Sequence, residues 1–432
     1  MIKVLRYIFL ILAIFLLMYV FYRAEIYSSG TKNDVYLRYY LVASIFIFMT
    51  VLNIFIDKKI SLLFFIVFFS VIVSAYLFEY YLLVNTIKSK KEIFKTKKDN
   101  IEFVVNSAKK NQNYVPALMS RQIKSKNGDL LSLSGISKKK TIHCNENGYF
   151  SMYDSDRYGF NNPDEEWNKD SIDYFLIGDS FVHGSCVNPQ DTIGGNIRTI
   201  NKNDVVLNLG QAGNGPLLEY ATLREYLPII NAKKVLWFYY EGNDLLELSR
   251  ELKNDILLNY LNDESFTQNL KKKQDIIDAQ HLSNMSNLEN FDISKDKFSI
   301  KLEIINFLKL FNFRKLTIER FFFKQPTTEL EKILTASKSF VETNNSKLYF
   351  IYLPEYFRYT TKININYNYK KYNDVVKIVN KLNIPLLDMH KEIFEFHDDP
   401  LSFFPSKAGG HFTELGYKII AEKLIEKIKE FE

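Results

Sequence analysis

The side chains best placed for covalent chemistry follow short apolar runs. Phe175-Leu-Ile-Gly178-Asp179-Ser180-Phe181 carries a hydrophobic strand straight into Gly-Asp-Ser, with a helix expected next. A serine at such a turn is exposed at the carboxyl end of a parallel sheet, where open α/β folds bind ligands. It also lies at a helix N-terminus, where N–H groups favour negative charge. Gly178 permits the tight backbone and Asp179 can brace the loop. An ordinary helix N-cap would use the same residues, so the motif needs partners. Three later stretches supply them: Asn208-Leu-Gly-Gln-Ala-Gly213-Asn-Gly-Pro, Glu241-Gly242-Asn243-Asp244 and Gly409-Gly410-His411-Phe-Thr-Glu-Leu-Gly416-Tyr417. Taken singly, Gly213 is a turn glycine, Asn243 a loop cap and His411 a cap of the last helix.

Taken in order, these four blocks resemble the SGNH (GDSL-like) hydrolase family, in a membrane-anchored bacterial form. The resemblance runs from about Ser171 to the C-terminus, leaving out an insertion. It implies an ester hydrolase in which Ser180 is the nucleophile and His411 takes its proton and returns it to the leaving alcohol. Ser180 N–H, Gly213 N–H and the Asn243 amide would form the oxyanion hole, where one donor is worth ~10²–10³ in rate. The family usually places an aspartate three residues before the histidine, and here Ala408 stands there. Asp399 is the leading substitute. Asp398 and Asp388 are further candidates, and a backbone carbonyl would leave a Ser–His dyad.

Other polar residues weigh less. His183 and Cys186 have metal-like spacing, with His143-Cys144 upstream. An adjacent His-Cys pair points its side chains different ways, so neither metal nor cofactor is expected. Cys144 and Cys186 are either a bridge or two separate thiols. A bridge would fix the Cys144 segment near the pocket. The turn-rich stretch 155–163 lines the site or clasps the domain. His281, His390 and His397 are read as surface or loop residues.

These residues need a frame. Strands are expected at 173–177, 204–208, 235–240, 347–352 and 384–387, alternating with helices. Near-continuous apolar strands suit a parallel sheet buried on both faces, giving a flavodoxin-like three-layer α/β/α sandwich. The last helix, 414–430, places Tyr417, Ile420, Ala421, Leu424 and Ile428 on one face. An insertion at about 245–340 could cap the site or be passive; within it 275–297 is expected to be a mobile loop. Upstream, uncharged apolar runs at 7–22, 39–56 and 60–78 approach the ~17–25 residues of a membrane span. This gives three transmembrane helices in 1–87, a juxtamembrane linker over 88–140 with order resuming near Thr141, and the hydrolase-like domain over 141–432.

The formal charge of +6 comes largely from scattered lysines, not the concentrated basic motif of a nucleic-acid binder. The counts of flanking Lys and Arg favour a cytoplasmic catalytic domain, whereas the cysteine pair and envelope chemistry favour the outside. The multi-pass protein is therefore expected in a bacterial cytoplasmic membrane with its catalytic domain extracytoplasmic. The expected activity is that of a serine esterase or deacetylase, acting on an acylated small molecule or O-acylated glycan. The alternatives are an O-acyltransferase modifying an envelope polysaccharide, and a catalytically silent carbohydrate-binding or assembly subunit working with polysaccharide-assembly proteins.

Overall fold

The computed structural model describes residues 2–30, 33–111, 113–124, 128–286, 300–314, 316–317, 326–360 and 371–431. The chain forms two compact units: Met1–Ile93 with Lys297–Lys324, and Phe94–Asp296 with Gln325–Glu432. This differs from the linear division expected from sequence, because part of the insertion groups with the N-terminal helices.

The first unit is built on α1 (Ile2–Phe21), α2 (Asn33–Phe55) and the part of α3 up to Ile93; α3 is a helix of 53 residues from Lys58 to Lys110, and its remainder belongs to the second unit. Three stretches are long and apolar enough to cross a membrane: Ile2–Tyr27, Tyr36–Phe55 and Lys58–Val84. They outrun the uncharged sequence runs, so Arg6 and Glu79 fall within them. Arg6 is buried and donates to the Ile54 and Ile56 carbonyls and to Ser61 Oγ, tying α1 to the turn between α2 and α3.

In the second unit, order begins well before Thr141. Strand β1 (Tyr114–Pro116) pairs in parallel with β4 (Lys140–Ile142), which pairs antiparallel with β5 (Met152–Asp154). A hairpin joins β2 (Arg121–Ile123) to β3 (Leu130–Ser132). Three-residue strands are too short to print a period on the sequence, although Ile123, Leu130 and Leu131 enter the main core.

The main sheet contains β6 (Ile172–Ile177), β7 (Val206–Asn208), β8 (Ala232–Tyr240), β9 (Lys347–Leu353) and β10 (Leu386–Asp388). All pairings are parallel and the spatial order is β10-β9-β8-β6-β7. This is the flavodoxin-like order, with the topological switch between β6 and β8. Alternation separates two cores. Phe175, Ile177, Val235, Trp237 and Phe350 face one, and Tyr174, Leu176, Leu236, Phe238 and Ile351 face the other. The first is covered by residues of α6 (Pro216–Tyr226), α12 (Thr327–Thr343) and α13 (Tyr372–Lys381); the second by α5 (Ile193–Ile200) and α14 (Glu414–Glu430). The α/β/α sandwich expected from sequence is therefore the fold of this unit.

The insertion contributes α7 (Asp244–Glu251), α8 (Asp255–Asn262) and α9 (Gln274–Ser286) to the second unit. The expected loop at 275–297 is helical through Ser286; residues 287–297 lie outside those described.

Candidate active site

Ser180 follows β6 and opens α4 (Ser180–His183). Only one turn long, α4 ends at Gly184 in the left-handed region (φ 78°). The helix expected after Ser180 is therefore a single turn, too short to sum a helix dipole, and only local N–H groups remain there. Asp179 caps the turn by accepting from Phe181 N–H at 2.8 Å. Gly178 is required by packing: a Cβ there would lie 2.4 Å from Val182 Cγ2.

The block after β7 is stitched to this turn. Gln211 N–H donates to the Gly178 carbonyl at 3.1 Å, and a Cβ on Gly210 would lie 2.5 Å from His183 N. Gly213 adopts φ 79°, with Met119 Cε 2.0 Å from where its Cβ would stand. Glu251, on α7, holds the end of the loop by accepting from Gly215 N–H at 2.6 Å and Leu217 N–H at 2.9 Å. Asn243 precedes α7, and its amide favours the charged form of Asp179. An amide has two N–H donors, so one can hold Asp179 while the other serves an oxyanion. Burial pushes Asp179 above the ordinary carboxyl range, against the Phe181 N–H, the charge of His411 and the Asn243 and Ser180 hydrogen bonds.

His411 lies just before α14, its ring centroid 5.0 Å from that of Phe181, the neighbour of Ser180. Its orienting acid is not Asp399. That carboxylate pairs with Lys407, Asp388 accepts from Tyr372 and from His390 N–H, and Asp398 is exposed. Glu146 takes the position instead. Its Oε1 and Oε2 both lie 3.1 Å from His411 Nδ1, and Oε2 accepts the His411 backbone N–H at 2.7 Å. The backbone contact means that the same carboxylate fixes both the ring and the loop carrying it. Burial pulls the imidazole down, but the Glu146 hydrogen bond and charge outweigh it and leave His411 above its ordinary value. Burial likewise works to raise Glu146, and the His411 contacts bring it below the carboxylate range. Both side chains remain partly open, 24% and 29% exposed. Nε2 has no hydrogen-bond partner among the described residues. Ser180 Oγ donates to Asp179 Oδ2 at 3.5 Å and makes no hydrogen bond to His411. Catalytic hydrogen bonds often tighten only with substrate bound.

Glu146 was missed because a lone glutamate in a polar stretch has no periodicity or motif to mark it. A signal did exist: it lies two residues after Cys144, and Cys144 is disulfide-bonded to Cys186, six residues after Ser180. The bridge has Cα atoms 4.7 Å apart and spans 42 residues. With both sulfurs joined, neither cysteine is a thiolate metal ligand. Asn147 Nδ2 adds a bond to the Cys186 carbonyl at 3.1 Å. A Cys144→Ser/Cys186→Ser variant is expected to lose about 4 kcal/mol of stability by the loop-entropy relation. Denaturant unfolding of the full chain in detergent micelles would read this; an unchanged midpoint would show that the bridge is not structural.

The stretch 155–163 acts as a clasp. Buried Asp156 accepts from the Tyr158 and Phe160 N–H groups, Asn162 Nδ2 and Trp167 Nε1. Asn161 and Asn162 then donate to the carbonyls of His183 and Asn208, binding α4 to β7. His183 is buried against the Tyr153 hydroxyl at 3.0 Å. His281 and His390, expected at the surface, are buried on Ser132 Oγ and the Tyr359 hydroxyl; His397 is exposed.

Fold and site together define an α/β protein of flavodoxin strand order whose polar residues gather at the carboxyl ends of β6, β7 and β8. No family profile and no curated protein sequence matches the chain. Similar solved structures include a protein of the G-D-S-L family from Desulfitobacterium hafniense DCB-2, 14% identical, covering 59% of this chain and 98% of that one at a TM-score of 0.32. Others are an acetyl xylan esterase (12%, 60% and 100%, TM-score 0.34) and the lipase/acylhydrolase from Enterococcus faecalis (13%, 60% and 96%, TM-score 0.33).

Proposed function

We propose that this chain is a membrane-anchored serine hydrolase of ester bonds, with Ser180, His411 and Glu146 as its catalytic triad. The observation that carries the reading is the Glu146 carboxylate on His411 Nδ1, which leaves Nε2 as the ring nitrogen able to serve as base. Ser180 Oγ attacks the ester carbonyl carbon while Nε2 takes its proton. The oxyanion is held by the N–H groups of Ser180 and Gly213 and by Asn243 Nδ2. Collapse breaks the C–O bond, and His411 returns the proton to the departing alcohol. Water, deprotonated by the same nitrogen, then releases the acid and restores Ser180. The missing acid at Ala408 was the reason to consider a silent subunit, and Glu146 fills that role from another part of the chain.

The proposed substrate class is an O-acylated glycan of the cell envelope, with the catalytic unit outside the cytoplasmic membrane. Three apolar spans and a disulfide in the catalytic unit support this placement, since such bridges persist in oxidising compartments. Alkaline phosphatase fused after Glu432 should be active; an inactive but expressed fusion would put the unit inside.

Full-length protein in detergent should hydrolyse p-nitrophenyl acetate and be labelled by a fluorophosphonate at Ser180. Failure of both would overturn the enzyme reading. Transfer of the acyl group to a sugar hydroxyl in preference to water would make the protein an acyltransferase using the same residues. Asn243→Ala should lower kcat by ~10²–10³ with little change in KM, the signature of a lost oxyanion donor. A rise in KM alone would assign Asn243 to substrate binding.

A further inference from the structure

Helix α10 (Ile300–Leu308) and the single turn α11 (Phe311–Arg314) belong to the compact unit of the three spans, although the sequence places them within the catalytic domain. Their side chains are arranged the reverse of a water-soluble helix. Glu303 is only 7% exposed, while Leu302, Ile304 and Leu308 are 54%, 54% and 62% exposed. At 100° per residue, Ile304, Leu308, Ile305 and Leu302 sweep the outward side together with the exposed Lys301 and Lys309, whose long stems can carry their charges to a membrane surface, while Glu303 and Phe307 lie together on the other. In water the apolar stripe of a helix faces the core. Polar residues inward and apolar residues outward is the pattern of protein facing lipid.

The contacts that seat this hairpin lie within the third span. The Tyr76 hydroxyl donates to the Leu308 carbonyl at 3.0 Å, and its ring packs on Phe307 at 5.5 Å. Buried Glu79 accepts from Asn312 N–H at 3.1 Å, Asn312 Nδ2 at 3.0 Å and Phe313 N–H at 2.7 Å. A carboxylate at this depth is costly unless fully hydrogen-bonded, and the free N–H groups of α11 satisfy it. Arg314 reaches Tyr39, near the start of the second span. Tyr76 precedes Val84, the end of the span, by eight residues, or about 12 Å along the helix. Phe313 also completes an apolar groove of about 450 Å³ on α3 with Ile66, Ser70, Ser74 and Phe78. The outward face of the hairpin is thus continuous with the lipid-facing surface of the spans.

We propose that residues 300–314 form a re-entrant hairpin in the bilayer interface, with Leu302, Ile304 and Leu308 immersed in the acyl chains and Glu79 as its pin. The catalytic chain would then be tied to the membrane unit by three connections, after Ile93, before Lys297 and after Lys324, rather than by one linker.

The test is nitroxide accessibility in full-length protein reconstituted in phosphatidylcholine nanodiscs. Both native cysteines are in the disulfide, so Leu308→Cys or Ile304→Cys can be labelled without reductant. Leu63→Cys, exposed on the third span, and Thr335→Cys, exposed on α12, are the lipid and water references. Collisions with oxygen, which partitions into lipid, should dominate at 304, 308 and 63, and collisions with nickel–EDDA, which stays in water, at 335. Nickel-dominated collisions at both 304 and 308 would overturn the proposal. Protection from both reagents would also do so, by showing that protein covers this face. Glu79→Gln, which keeps the size but replaces one of the two accepting oxygens by an NH2 donor facing an N–H of α11, should increase motion of the label at 308; a frozen, unchanged spectrum would remove Glu79 as the pin.

Discussion

Ser180→Ala should lower kcat for p-nitrophenyl acetate by ~10⁴–10⁶-fold, since the triad acts as a unit and loss of its nucleophile leaves only binding and oxyanion stabilisation. Labelling by a fluorophosphonate should vanish with it. The unfolding midpoint should hardly move, because the Ser180 hydroxyl makes one long hydrogen bond, to Asp179 at 3.5 Å, and neutral bonds of that kind contribute ~1 kcal/mol or less. The combination matters: lost activity with preserved stability identifies a nucleophile, whereas lost activity with a large drop in stability would describe a structural serine. Retained activity in the alanine variant would end the covalent mechanism.

Glu146→Gln should reduce kcat by ~10²–10⁴-fold, the range expected when the partner of the base no longer fixes its tautomer. The glutamine amide can offer an N–H to Nδ1, which favours placing the ring proton on Nε2, where it blocks the base. A second readout separates this role from simple packing. The base must be neutral, so activity falls as pH drops through the pKa of His411. Glu146 holds that pKa above its ordinary value against the effect of burial. Removing the charge should therefore move the acid limb of the kcat/KM profile to lower pH, while lowering the plateau. Glu146→Asp should recover part of the activity and part of the limb. Asp399→Asn, whose target pairs with Lys407 on the surface, should change neither. A dead Asp399→Asn beside an active Glu146→Gln would reverse the assignment.

The comparison of these two acids shows where sequence reasoning stops. Ser180, Gly213 and Asn243 could be proposed from sequence because each follows an apolar strand, and parallel strands deliver their carboxyl ends to one edge. The order of the blocks along the chain therefore maps directly onto the proposed site. His411 was legible from its place before a strongly periodic final helix. Glu146 obeys no such rule. It comes from a segment before the sheet begins, and a disulfide and one hydrogen bond to Cys186 bring it across. Searching near His411 in sequence led to Asp399, which is close along the chain and turned to Lys407 instead.

The membrane unit divides in the same way. Length and hydropathy alone pick out three helices long and apolar enough to cross a membrane, because a bilayer imposes a minimum apolar length whatever the fold. They do not show that α10 and α11 join the unit of those helices, since a helix of nine residues is far too short to announce a place beside them. Its apolar residues look like core until Glu79 and Tyr76 fix which side faces out. What this sequence determined by itself was local: strand-end chemistry, helical periods and the length of apolar runs. What tertiary structure alone decided was which distant segments meet, the acid with its histidine and the hairpin with its span. Those pairings depend on contacts between residues 233 and 265 positions apart, and no local pattern encodes a separation of that size.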